Sequence, residues 1–113
     1  MDQSDVDYFV TAGSGRCREI FPGVSIRSSA CRSMMISVVD FEPGAEVLVH
    51  SHPHEQVGYL VSGRLEFTIG DQTRTLGPGD QWRIPGGVPH RVVAVGGPAV
   101  AVDVFNPVRE DYL

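Results

Sequence analysis

At 113 residues the chain has room for one compact domain with a modest core. Hydrophobic residues at 42% against charged residues at 20% exclude a disordered chain, and a net charge of −5 argues against nucleic acid or an anionic membrane as partner. All nine basic residues are arginines, so Schiff-base chemistry and a lysine general base are excluded.

Two cysteines, Cys17 and Cys31, are too few for a disulfide framework. The stretch Met1-Asp2-Gln3-Ser4-Asp5 is acidic and has no apolar run, so it does not read as a signal peptide. Val92 to Val102 is apolar but is broken by Gly96-Gly97-Pro98 and is too short to span a bilayer. A cytoplasmic location with reduced thiols is the expectation.

Glycine and proline punctuate the chain at short intervals, and the runs between them are rich in Val, Ile, Phe and Thr. This pattern predicts an all-β sandwich or barrel without helices, over a single domain spanning 1–113. Val6 to Val10 reads as an edge strand, Cys17 to Phe21 as a second, and Val24 to Arg27 as a short third after the Pro22-Gly23 turn. Met34 to Phe41 is apolar at nearly every position, which predicts a strand buried on both faces, with Met34 and Met35 in the core. Glu46 to His50 follows the turn at Glu42-Pro43-Gly44-Ala45. Val57 to Val61 and Arg64 to Ile69 flank Ser62-Gly63 and read as a hairpin, and Gly70-Asp71 closes the next one onto Thr73 to Leu76. Gln81 to Ile84 is a strand, and His90 to Val95 with Ala99 to Phe105 make the last pair. Asn106 is placed to cap one helical turn with Pro107 at its first position.

The chemistry concentrates in His50-Ser51-His52-Pro53-His54-Glu55-Gln56, which holds three of the four histidines. Residues two apart on a strand share a face, so His50 and His52 can present two imidazoles side by side. Gln56 can add a carbonyl oxygen. If the chain folds back to bring His90 opposite, three nitrogens and one oxygen surround one point. That set suits a divalent first-row metal with positions left for water or substrate. Nickel, zinc, manganese, iron and cobalt all fit, and Glu55 is the substitute for Gln56. His54 shares the ligands' parity but follows Pro53, and reads as a neighbour of the site or an exposed histidine.

Asp103 interrupts the apolar run Ala99 to Phe105. Ala101, Asp103 and Phe105 share one face and Val100, Val102 and Val104 the other. A carboxylate facing a barrel interior needs a partner or a task, so Asp103 is either a structural ion pair or a catalytic group. Arg109 is either a surface charge or a two-pronged clamp for a substrate carboxylate. Trp82 and Phe105 read first as core.

Gly44, His50-x-His52, Gln56 and Gly63 resemble the first signature motif of the cupins, and Gly79 followed by Pro85-x-Gly87-x-x-His90 resembles the second. The motifs cover about 44–63 and 79–94. The resemblance implies a jelly-roll β-barrel with a metal inside one end. Gln56 stands where the first motif usually has an acidic ligand, and Ala94 where the second often has asparagine. A narrower resemblance, carried by His50 to Gln56, Val61 to Gly70, Ile84 to His90 and Asp103 to Leu113, is to the KdgF-type pectin-degradation cupins. These open the ring of the 4,5-unsaturated uronates released by pectin and alginate lyases.

That resemblance implies metal ligands at His50, His52, Gln56 and His90, and a pocket lined by Asp103, Phe105 and Arg109. Asp103 is then the acid–base residue, and Arg109 the group orienting the substrate carboxylate, with Phe105 also on the substrate. It implies a small-molecule substrate, an anionic sugar, and a homodimer. Two other classes compete: an oxygen-dependent cupin dioxygenase acting on a small organic substrate, and a non-catalytic sugar- or metal-binding cupin.

Overall fold

The computed structural model describes residues 7–113. Among the described residues ten strands form two antiparallel sheets: β1 (Cys17–Phe21), β2 (Val24–Ala30), β3 (Met35–Phe41), β4 (Glu46–His50), β5 (Glu55–Ser62), β6 (Leu65–Ile69), β7 (Gln72–Leu76), β8 (Gln81–Ile84), β9 (His90–Ala94) and β10 (Ala99–Asn106). One sheet runs β1-β2-β3-β10-β5-β8 and the other β4-β9-β6-β7. The core between them is built from alternate inward residues, among them Ile26, Leu60, Leu65, Ile84 and Ala101, each at most 1% exposed.

Several expectations change. Residues 7–10 form no strand, and Val6 lies outside the described residues. β3 is not buried on both faces: Met35, Ser37, Val39 and Phe41 point inward, whereas Ile36 is 46% exposed and Met34, placed in the core from sequence, is 53% exposed just before the strand. The apolar outer residues made the strand look doubly covered. β5 and β6 are consecutive but do not pair. The chain turns a corner after Ser62, and Leu60 and Leu65 reach the core from opposite sheets. β9 and β10 likewise belong to different sheets, whereas β6 and β7 do form the expected hairpin. The terminal turn is a 3-10 turn over Glu110–Tyr112, preceded by Arg109, so Asn106 does not cap it.

Candidate metal centre

Strand β4 carries a bulge that decides which residues reach the interior. Val47 faces in, Leu48 and Val49 are both exposed, and the register against β9 then shifts so that His50 lies opposite His90. Without that extra residue, strict alternation from Val47 would send His50 outward. His52 lies beyond the end of β4, so its position comes from the loop and not from strand spacing. The second motif docks on this loop: Gly87 N–H donates to the His52 carbonyl at 2.8 Å, and a Cβ at Gly86 would collide with the Pro53 carbonyl.

Three histidines are thereby positioned to bind a metal. One ring nitrogen from each of His50, His52 and His90 lies within 4.8 Å of the others. Each Nδ1 faces a backbone carbonyl: Leu48 for His50 at 3.0 Å, His54 for His52 at 3.0 Å and Val88 for His90 at 2.9 Å. A carbonyl can only accept, so each Nδ1 carries the proton and each Nε2 keeps a lone pair for the centre. His90 Nε2 is buried with no hydrogen-bond partner, an orphan a metal would satisfy. Burial lowers the pKa of His90 to about 4, and burial together with the Arg109 charge lowers that of His52, so both rings are held neutral, as ligands must be.

Gln56 points inward and is 6% exposed, while Glu55 faces out, so Gln56 is the residue brought to the cluster. Its Oε1 lies 3.1 Å from His52 Nε2, and its Nε2 donates to Asp103 Oδ1 at 2.9 Å. His54 lies beside the cluster: its ring packs edge-on against His52 at 5.4 Å, and its Nδ1 is buried without a partner.

Asp103 faces the interior as its strand parity predicts. The inward row across the sheet runs Trp82, Gly58, Asp103, Ser37. Gly58 has no side chain to separate its neighbours, so the Trp82 indole reaches across and donates to Asp103 Oδ1 at 2.8 Å. Asp103 is therefore hydrogen-bonded to neutral donors and makes no ion pair among the described residues. Desolvation outweighs these bonds and the Arg109 charge, and raises its carboxyl to about 6.

Arg109 is buried in the cavity wall, not a free surface charge. Its guanidinium stacks 3.8 Å from the Tyr112 ring and 5.3 Å from that of Phe105, and pairs with Asp111 at 2.8 Å. Phe105 is both core and cavity wall. The enclosed space is about 40 Å³, room for an ion and a few waters.

Sequence reasoning missed three participants: Trp82 as a hydrogen-bond donor, Tyr112 as the platform for Arg109, and Asp111 as its partner. The first had a signal, since a buried indole N–H needs an acceptor. The other two lie two and three residues beyond Arg109 in the terminal turn, where strand periodicity gives no signal.

The family pattern described as Cupin domain matches residues 37–105, which include all four residues of the cluster. The chain belongs to the cupins. This cupin resembles KdgF from Halomonas sp., with 30% identity, a TM-score of 0.87, and coverage of 96% of this chain and 100% of that one. An RmlC-like cupin from Shewanella frigidimarina is 28% identical with a TM-score of 0.88, covering 96% of this chain and 97% of that one. Dimethylsulfoniopropionate lyase DddQ of Ruegeria pomeroyi is 34% identical over 78 residues, which are 68% of this chain but only 39% of that protein. No helix among the described residues is long and apolar enough to cross a membrane.

Proposed function

We propose that this cupin is a metal-dependent, non-redox enzyme that opens the ring of 4,5-unsaturated uronate monosaccharides from pectin or alginate breakdown. The observation that carries this reading is the likeness to Halomonas KdgF over 96% of this chain and the whole of that one.

His50, His52 and His90 would hold the metal, with Gln56 as fourth ligand. The contact between His52 Nε2 and Gln56 Oε1 supports Gln56. With Nδ1 protonated and the amide N–H turned to Asp103, two lone pairs face each other at 3.1 Å. A cation between them relieves this repulsion.

A divalent metal bound there supplies Lewis acidity toward substrate oxygens. Asp103 moves the protons. It accepts the hemiacetal hydroxyl proton as the bond from carbon 1 to the ring oxygen breaks, and a proton returns to carbon 4 as the resulting enol becomes a ketone. Atoms balance without an oxidant. Both hydrogen bonds to Asp103 fall on Oδ1, which leaves Oδ2 for the proton, and a pKa near 6 suits exchange in both directions. Arg109 holds the substrate carboxylate.

The test is metal-loaded protein given the monosaccharides from exhaustive lyase digestion of polygalacturonate and of alginate. Loss of the ene-carboxylate ultraviolet absorbance should accelerate, and the acceleration should vanish in His52→Ala. No acceleration with either sugar would sink the reading.

A second reading is favoured by the DddQ relative: elimination from a small carboxylate bearing a sulfonium group. Dimethylsulfoniopropionate in the same assay, with dimethyl sulfide as readout, separates the two. The proposal includes a homodimer and a cytoplasmic location. The outer face of the larger sheet leaves Ile36, Val57, Tyr59 and Val61 each at least 44% exposed, an apolar face a second copy could cover. Light scattering at one chain mass would rule the dimer out. The free thiols of Cys17 and Cys31 suit a reducing compartment, and fractionation of the native cells would test that placement.

A further inference from the structure

We infer that Asp111 is a resident competitor for the substrate's anion: its carboxylate occupies the place on Arg109 that a substrate carboxylate takes, and substrate binds by displacing it. The inference rests on the reading of Arg109 as the carboxylate holder and adds the residue that sets how tightly anions bind.

The geometry is that of an occupied carboxylate site. Arg109 Nε and Nη2 donate to the two oxygens of Asp111 at 3.4 and 2.8 Å, the two-pronged grip expected for a bound carboxylate. The partners differ in burial. The Arg109 side chain is 11% exposed and lies in the cavity wall, whereas the Asp111 side chain is 60% exposed. Tyr112 and Phe105 hold the guanidinium in place. Beyond Arg109, the Asp111 carboxylate is held by its own backbone N–H within an exposed turn.

Its backbone is fixed separately. Arg18 on β1 donates to the Asp111 carbonyl at 2.7 Å and to the Leu113 carbonyl at 3.5 Å. The Asp111 carboxylate can therefore rotate into water while the turn that carries Arg109 and Tyr112 stays docked. Water competes for the exposed carboxylate of this pair, and a ligand carboxylate that also contacts the centre can replace it without leaving the buried guanidinium unpaired.

The experiment is calorimetry on metal-loaded protein with D-galacturonate, which has a carboxylate but no double bond to react, and with galactose as the neutral control. Asp111→Asn should tighten galacturonate about two- to five-fold and leave galactose unchanged. In an Arg109→Gln background the same substitution should no longer tighten galacturonate. Unchanged or weaker galacturonate binding in Asp111→Asn would overturn the inference, leaving Asp111 as a support for Arg109. So would tightening that persists without Arg109, or no galacturonate binding by either protein. Tightening that depends on Arg109, in a protein that does not turn over unsaturated uronates, would remove the ring-opening reading and leave this one standing.

Discussion

The two walls of the cavity are built on opposite plans. The histidine wall is set by backbone: three Nδ1 groups rest on main-chain carbonyls, and the second motif's loop is hydrogen-bonded to the first. The tail wall is set by side chains: Arg109 stacks on Tyr112, pairs with Asp111, and the turn is tied to β1 through Arg18. A ligand set needs fixed geometry, because a metal tolerates little error in distance. A substrate clamp would gain from adjustability, since a cavity with room for an ion and a few waters admits a larger molecule only where a wall yields. The histidine wall is thus held by main-chain contacts and the tail wall by side-chain contacts.

The largest expected effect is on the rigid wall. His90→Ala removes a ligand, and metal affinity should fall by more than about 100-fold, since even loss of a group supporting a ligand costs about 10- to 100-fold. The metal-free fold should survive, because Nε2 has no partner and the loss falls on the bond from Nδ1 to the Val88 carbonyl, worth about 1 kcal/mol. Metal content after dialysis and a thermal melt check both. Retained metal would break the comparison at its first term.

Asp103→Asn lies between the walls. Its amide oxygen can still accept from Gln56 or Trp82, so metal content should hold, while turnover drops by about 10²- to 10⁴-fold. Full activity would take Asp103 out of the mechanism. Equal loss of metal and turnover would make it only a brace for Gln56.

The smallest effect belongs to the adjustable wall. Arg18→Ala frees the terminal turn, and KM should rise a few-fold with kcat nearly unchanged, because exposed pairings of this kind are worth about 1 kcal/mol or less. A collapse of kcat would mean that the tail is as rigidly required as the histidines.

Much of this was legible in the chain. Short runs between glycines and prolines marked the strands, and alternation put Ala101, Asp103 and Phe105 on one inward face. His50, His52, Gln56 and His90 were named from spacing because metal ligands must be particular residue types. Local pattern misled where partners decide the outcome. Met34, Ile36 and Val38 are apolar, but the described residues leave Met34 and Ile36 about half exposed. β5 and β6 looked like a hairpin because a turn signal does not say whether two strands pair or separate into opposing sheets.

The sequence by itself determined the all-β class, the cupin motifs and the identity of the ligand candidates, since composition, period and spacing are local properties of the chain. Only the tertiary structure decided three things: that a bulge in β4 turns His50 inward, that the gap at Gly58 lets Trp82 reach Asp103, and that the tail folds back to set Arg109 beside Asp111 and Tyr112. The first is a backbone irregularity, the second a contact between strands distant in sequence and the third an irregular terminal turn, and none is encoded in the periodicity of any one strand.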